Sequence, residues 1–216
     1  MNKIGVVGLG YVGTAVQKGF ESIRRVATYD IIKECNTNSI EDLVMQSQII
    51  FICVPTPSDK DGRCDTSIVS KLIFDLNKIV TKKSIIIIKS TVEPGTTRKI
   101  NEEIKKRGDS NLNIIFCPEF LTEKYYKDDI YNANFVLLGF ENKSTANLDI
   151  VSIVSYLFTQ LYKHKKIDII SKEYEQCEIF KYTINVFLAV KVWYFNEVYE
   201  ICNKFDINYS EFREDL

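Results

Sequence analysis

The stretch Ile4-Gly5-Val6-Val7-Gly8-Leu9-Gly10-Tyr11-Val12-Gly13 decides how the rest of the chain is read. An apolar run of strand length, Ile4 to Val7, leads into glycines spaced G-x-G-x-x-G. A helix-length segment, Tyr11 to Phe20, follows, and then a second apolar run, Val26 to Tyr29, which ends at Asp30. In this order a strand, turn, helix and strand hold a dinucleotide. Gly8 allows the tight turn, Gly10 lets backbone approach a pyrophosphate, and Gly13 lets helix pack on strand. The first helical turn, with Tyr11 and Val12, offers free N–H groups and partial positive charge to the phosphates. Asp30 is expected to accept from the adenosine ribose hydroxyls and to repel a 2′-phosphate, favouring NAD over NADP. Lys33 nearby keeps NADP open, and a purely structural glycine turn is the bland alternative.

Outward from this unit, apolar runs alternate with helix-length segments. Ile40 to Gln46 is short and amphipathic, and Ile49 to Val54 is a strand. Asp65 or Thr66 opens a helix to about Val80, with Val69, Leu72, Ile73, Leu76 and Ile79 on one face. Ser84 to Lys89, Asn113 to Cys117 and Phe135 to Gly139 read as strands, and Thr97 to Lys106 as a polar helix. Strands that are continuous Ile/Val runs are buried on both faces, as in parallel sheets. The predicted fold is therefore α/β, a Rossmann-type doubly wound, mostly parallel sheet.

The end of the chain differs. Between Glu173 and about Phe205 there is no glycine or proline, and Ile179, Ile184, Phe187, Leu188, Val192, Phe195, Val198, Tyr199 and Cys202 recur mostly at three- and four-residue spacing. One long C-terminal helix is expected, and such helices usually link domains or subunits. No glycine follows Gly139, so a second domain of the first kind is not expected. The division is a dinucleotide-binding domain over 1–171 and a long helix over 172–216, through which two copies are expected to pair.

Composition sets outer bounds. The chain has 216 residues, 45% hydrophobic and 12% aromatic, enough for a real core. Its 28 basic and 29 acidic side chains leave a net charge of −1, which argues against a nucleic-acid binder or a polybasic membrane anchor. The apolar runs are far shorter than a membrane span, and the N-terminal run is too short for a signal peptide, so a cytoplasmic location is expected. The six cysteines include no C-x-x-C pair and there is one histidine, so no metal site is expected.

Several ordered motifs now resemble those of the UDP-glucose/GDP-mannose dehydrogenase family, and UDP-glucose 6-dehydrogenases most of all. They are Lys3 to Gly13; Ile52-Cys53-Val54-Pro55-Thr56-Pro57 with Asp61-Gly62 and Asp65; Lys89-Ser90-Thr91-Val92 with Pro94-Gly95-Thr96; Cys117-Pro118-Glu119-Phe120-Leu121-Thr122-Glu123; and Lys181-Tyr182-Thr183-Ile184-Asn185 running on to Glu197. The resemblance implies an NAD-dependent oxidation of the C6 alcohol of a nucleotide sugar, most simply UDP-glucose to UDP-glucuronate, in polysaccharide biosynthesis. It implies that Lys181 stabilises the developing oxyanion and Asn185 holds the reacting oxygen. Thr91 would position a water and Glu123 act as base for thioester hydrolysis. Val54, Pro55, Thr56, Thr91 and Glu123 would line the cofactor. Spacing alone says only that Lys181 and Asn185 share a helix face.

The chain departs from that family's pattern in two ways. Nothing after Lys181 resembles the glycine-rich loop with the catalytic cysteine, or the nucleotide-sugar domain. Lys124-Tyr125-Tyr126 stands where the family prefers small residues, and Thr122 where it has arginine. Three functions stay open: the NAD half of a nucleotide-sugar dehydrogenase completed by a second chain, an inactive NAD-binding homologue, and a two-electron oxidoreductase like the β-hydroxyacid dehydrogenases. The expectation is cofactor binding without full turnover by this chain alone.

Overall fold

Strands and helices alternate along the first part of the molecule, as the apolar runs require. The structure, a computed structural model, describes residues 3–108, 110–122 and 124–215. In order come β1 (Ile4–Val7), α1 (Tyr11–Glu21), β2 (Val26–Tyr29), α2 (Ile40–Gln46), β3 (Ile49–Ile52), α3 (Ser67–Ile79), β4 (Ser84–Ile88), α4 (Thr96–Lys106) and β5 (Leu112–Phe116). Then follow α5 (Tyr126–Asn132), β6 (Phe135–Phe140), α6 (Thr145–Leu161), β7 (Asp168–Glu173), α7 (Tyr174–Lys204) and α8 (Tyr209–Glu214). The strands form one sheet in the order β2-β1-β3-β4-β5-β6-β7. Neighbours run parallel except β5 and β6, which are antiparallel and paired only at Phe116 and Gly139. The fold is the expected Rossmann-type, mostly parallel α/β sheet.

Side chains alternate across each strand and feed two cores. From β1 and β4, Ile4, Val6, Ile85 and Ile87 enter the core closed by Val16 and Phe20 of α1 and Val154 and Phe158 of α6. Val7, Ile86 and Ile88 enter the opposite core, closed by Leu43 of α2, Ile73 of α3 and Ile100 of α4. The rings of Phe20, Phe51 and Phe158 meet at the centre of the first, with centroids 5.1 to 6.3 Å apart. Each fully buried Ile or Phe contributes about 1.5–3 kcal/mol. The chain leaves β1 for β2 on one side and returns to β3 on the other. This reversal opens a crevice at the carboxyl ends of β1 and β3, where α/β sheets bind ligands.

Strand β7 and helices α5 and α6 are not among the elements read from the sequence. Strand β7 pairs with β6 alone and is half exposed, so Asp168-Ile-Ile-Ser-Lys-Glu173 lacks the apolar run of the inner strands.

Contacts divide the chain into two compact units, one ending at Ile179 and the other starting at Phe180. The first turns of α7 belong to the first unit. Tyr174 is buried and donates to the Ile114 carbonyl at 2.8 Å. Glu178 is also buried, and its carboxylate accepts from the N–H groups of Gly95 (2.6 Å) and Thr97 (2.9 Å), filling the N-terminus of α4. Burial pushes the Glu178 carboxyl up against these bonds. Arg98 forks onto Glu175 beside it. The second unit holds the rest of α7 and α8, joined by a turn with Asp206 at φ 52°, and the rings of Tyr199 and Tyr209 meet edge to face.

Candidate dinucleotide site

The three glycines of the β1–α1 turn have different reasons to be there. Gly8 has φ +89°, and a Cβ on it would lie 2.7 Å from the Cys53 carbonyl oxygen. A Cβ on Gly13 would lie 1.7 Å from the Gly8 carbonyl oxygen. Both are demanded by the protein's own packing. A Cβ on Gly10 would meet nothing within 4 Å. The fold does not require glycine at that position, but a ligand lying against the backbone there would. Gly10 is also the N-cap of α1, with no side-chain cap and no acidic residue in the first turn, so the positive end of the helix is left for an anion. These features fit a pyrophosphate. They also separate two substitutions. Gly13→Ala should cost at least about 2 kcal/mol and lower the melting temperature by about 4 °C or more. Gly10→Ala should leave melting unchanged and weaken NAD binding. Thermal melts with and without NAD⁺ check both, and equal melting of the two variants would contradict the distinction.

Asp30 closes the other side of the turn. Its carboxylate accepts from the N–H groups of Leu9 (2.6 Å), Ile32 (2.8 Å) and Lys33 (2.9 Å). Burial pushes its pKa up, but the bonds from Leu9, Lys33 and Ile32 outweigh this and hold it below the usual aspartate value. Asp30 therefore stays ionised and ties the end of β2 to the glycine turn. The Lys33 ammonium donates to the Leu9 carbonyl, so both side chains grip the same residue.

The loops after β3 and β4 are stitched together. Thr56 donates through Oγ1 to the Thr91 carbonyl at 2.8 Å, and Ser90 through Oγ to the Val54 carbonyl at 2.7 Å. Val54, Pro55, Thr56 and Thr91 thus stand at the carboxyl edge of the sheet with Gly8, Gly10, Tyr11, Val12, Gly13, Asp30 and Lys33. Lys181 and Asn185 lie one turn apart on α7, in the second compact unit. Glu123 lies outside the described residues.

Two charged residues at this edge have no role assigned from their motifs alone. Lys89 directly follows β4 and Glu119 follows β5. Lys89 Nζ lies 2.8 Å from Glu119 Oε2, with the two side chains 4% and 13% exposed. Lys89 also reaches the Pro118 carbonyl at 3.3 Å and Cys117 Sγ at 3.6 Å. Burial opposes its charge, but the Cys117 sulfur and the Glu119 carboxylate reverse this and raise its pKa. A cavity of about 270 Å³ lies beside the pair, under the loop Pro118 to Thr122. The available signal was a lysine placed directly after a pure isoleucine strand.

Residues 33–164 match the model of the NAD binding domain of the UDP-glucose/GDP-mannose dehydrogenase family, and residues 175–215 match that of its central domain. The chain belongs to the UDP-glucose/GDP-mannose dehydrogenase family. Its cofactor is NAD, and the glycine turn and Asp30, which precede the matched stretch, fit it. A putative UDP-glucose 6-dehydrogenase of Bacillus subtilis is 30% identical, over 97% of this chain and 54% of that one. A UDP-glucose 6-dehydrogenase of Rickettsia felis is also 30% identical, over 81% of this chain and 38% of its own length. Among solved structures, a UDP-glucose dehydrogenase from Pyrobaculum islandicum superposes with a TM-score of 0.81 at 24% identity, covering 100% of this chain and 56% of that one. A GDP-mannose dehydrogenase from Pseudomonas aeruginosa gives 0.80 at 24% identity, covering 98% and 55%. The two structural likenesses show the fold. The chain spans about half the length of these relatives, or less. Among the described residues no helix is long and apolar enough to cross a membrane, and no group of His, Cys, Asp and Glu side chains is placed to hold a metal ion.

Proposed function

We propose that the chain is the NAD-holding part of a nucleotide-sugar 6-dehydrogenase acting on UDP-glucose. The observation that carries this is Gly10: a glycine the protein does not need, at an uncapped helix N-terminus, in a chain whose later part matches the family's central domain. Residues 1–171 hold the cofactor in this reading, and 172–216 begin the element that bears Lys181 and Asn185. The N–H groups at Gly10, Tyr11 and Val12 hold the pyrophosphate, and Asp30 takes the adenosine ribose. Val54, Pro55, Thr56 and Thr91 face the nicotinamide end, Thr91 positions a water, and Glu123 serves as base for thioester hydrolysis. Lys181 and Asn185 polarise the reacting oxygen. The binding site for the sugar nucleotide and the thiol for the second oxidation come from a second half, in this chain's continuation or in another chain. The test is NADH formation from UDP-glucose with the 216 residues alone and mixed with a chain carrying that half. NADH is expected only in the mixture, at two per UDP-glucose. A mixture that binds NAD⁺ and UDP-glucose but forms no NADH would overturn the proposal and leave a binding module.

Pairing of two copies through α7 belongs to the same proposal. Val186, Phe187, Val192, Trp193 and Tyr194 are each 56% exposed or more, an apolar surface that marks interfaces. Cys202, expected on that surface from its spacing, is instead buried, and Phe195 and Val198 are half-buried. Sedimentation at micromolar concentration should give a dimer, and Trp193→Glu should shift it to monomer. A wild-type monomer would refute the pairing.

A further inference from the structure

The antiparallel step in the sheet leaves a notch. Strand β6 pairs with β5 only at Phe116 and Gly139, then diverges from its amino-terminal end. A cavity of about 280 Å³ opens there, between the start of β5, α4, the end of β6 and the start of α6. It lies toward the opposite end of β5 from the dinucleotide crevice.

Two amide side chains line this notch with nothing to bond. Asn101 of α4 is 6% exposed, yet among the described residues no group hydrogen-bonds its amide. Asn113 of β5, half-buried, lines the same cavity and is likewise without a side-chain partner among them. Neither amide is among the fully buried side-chain atoms that lack a partner, so both open onto the cavity and are available to whatever fills it. The backbone edge of β5 is not available in the same way. The Ile114 carbonyl is taken by Tyr174 Oη, and the Leu112 N–H by Ser110 Oγ. An added peptide strand, which bonds through backbone, is thereby disfavoured.

The lining defines what fits. Lys105 and Glu141 face each other across the rim at 2.5 Å and cancel, so the notch carries no net charge to attract an ion. An anion would meet Glu141 and a cation Lys105. Ile150 and Leu112 supply apolar wall. Free amides offer a donor and an acceptor each. The volume is at the lower end of small-molecule pockets.

We propose that this notch binds a neutral polyhydroxylated molecule of monosaccharide size, held by the amides of Asn101 and Asn113. The site is independent of the dehydrogenase reading. The test uses the full chain saturated with NAD⁺, titrated with D-glucose, myo-inositol, D-glucosamine and D-glucuronate, and followed by amide nitrogen–proton correlation spectra. At least one neutral probe should give saturable shifts centred on Asn101 and Asn113 at millimolar concentration, with both charged probes weaker. Asn101→Leu should weaken that binding by roughly tenfold, the loss of one hydrogen bond, while NAD⁺ affinity holds. If Asn101→Leu does not fold, Asn113→Leu, at a half-buried position, is read the same way. No saturable shift with any neutral probe would mean that water fills the notch, and would overturn the proposal. So would equal binding of neutral and charged probes, or binding indifferent to the amides.

Discussion

Lys181→Ala should remove nearly all NADH formation from UDP-glucose when this chain is mixed with one carrying the nucleotide-sugar half. Losing a single donor aimed at a developing oxyanion lowers turnover by about 10² to 10³, or ~2.7–4 kcal/mol. Asn185, one helical turn away, cannot replace a cation, so Asn185→Ala should cost less. NAD⁺ affinity should change little in either variant, because the glycine turn and Asp30 lie on other elements. Without the second half, even the wild-type chain should not deliver two NADH per UDP-glucose. In the proposed reaction the second hydride leaves only after a thiol has added to the aldehyde. Cys53, Cys117, Cys177 and Cys202 are buried, and burial pushes the Cys177 thiol up to about 12, which leaves almost no thiolate at neutral pH. Cys35 and Cys64 are half-buried. Steady-state NADH counts against UDP-glucose consumed check this. Two NADH per sugar from the chain alone would assign the thiol to one of these six, and full activity of Lys181→Ala would remove Lys181 from the chemistry.

Lys89→Met should be among the most destabilising single changes in the first unit. It removes a buried ammonium and leaves the Glu119 carboxylate without its 2.8 Å partner. Breaking a buried ion pair from one side costs about 3–5 kcal/mol, against a total stability of about 5–15 kcal/mol. Replacing both partners is far milder, because no uncompensated charge remains. The double variant Lys89→Met, Glu119→Leu should therefore recover more than half of the loss. Urea unfolding of the wild type, both single variants and the double variant measures the pair directly. A Lys89→Met chain within about 1 kcal/mol of wild type would show that the pair does not hold the β4 and β5 ends together.

The sheet was legible because its strands are buried on both faces and read as isoleucine and valine runs. The glycine turn was legible because sterics leave no other residue at Gly8 and Gly13. Gly10 was legible for a different reason, its fit to a ligand. What sequence could not show are relations between distant positions. Lys89 and Glu119 lie on different loops, and no periodicity links them. The notch at Asn101 and Asn113 comes from one reversed strand, and reversal leaves no local pattern. Strand β7 escaped because an edge strand needs few apolar residues. The long helix was readable from spacing, but Cys202 shows that spacing does not say which stripe is covered. Glu178 is similar: its pattern places it on a helix, while its buried carboxylate serves the N-terminus of another.

Calorimetric titration of the 216-residue chain with NAD⁺ and NADP⁺ probes the cofactor site directly. The turn from Gly8 to Gly13, closed by an ionised Asp30, is the proposed seat of NAD. NAD⁺ should bind the tighter, and at a hundredfold excess over its dissociation constant should add ~2.7 kcal/mol to stability. Asp30→Ala should narrow the gap between the two cofactors. Absence of NAD⁺ binding, or equal affinity for NAD⁺ and NADP⁺ in the wild type, would contradict the claim.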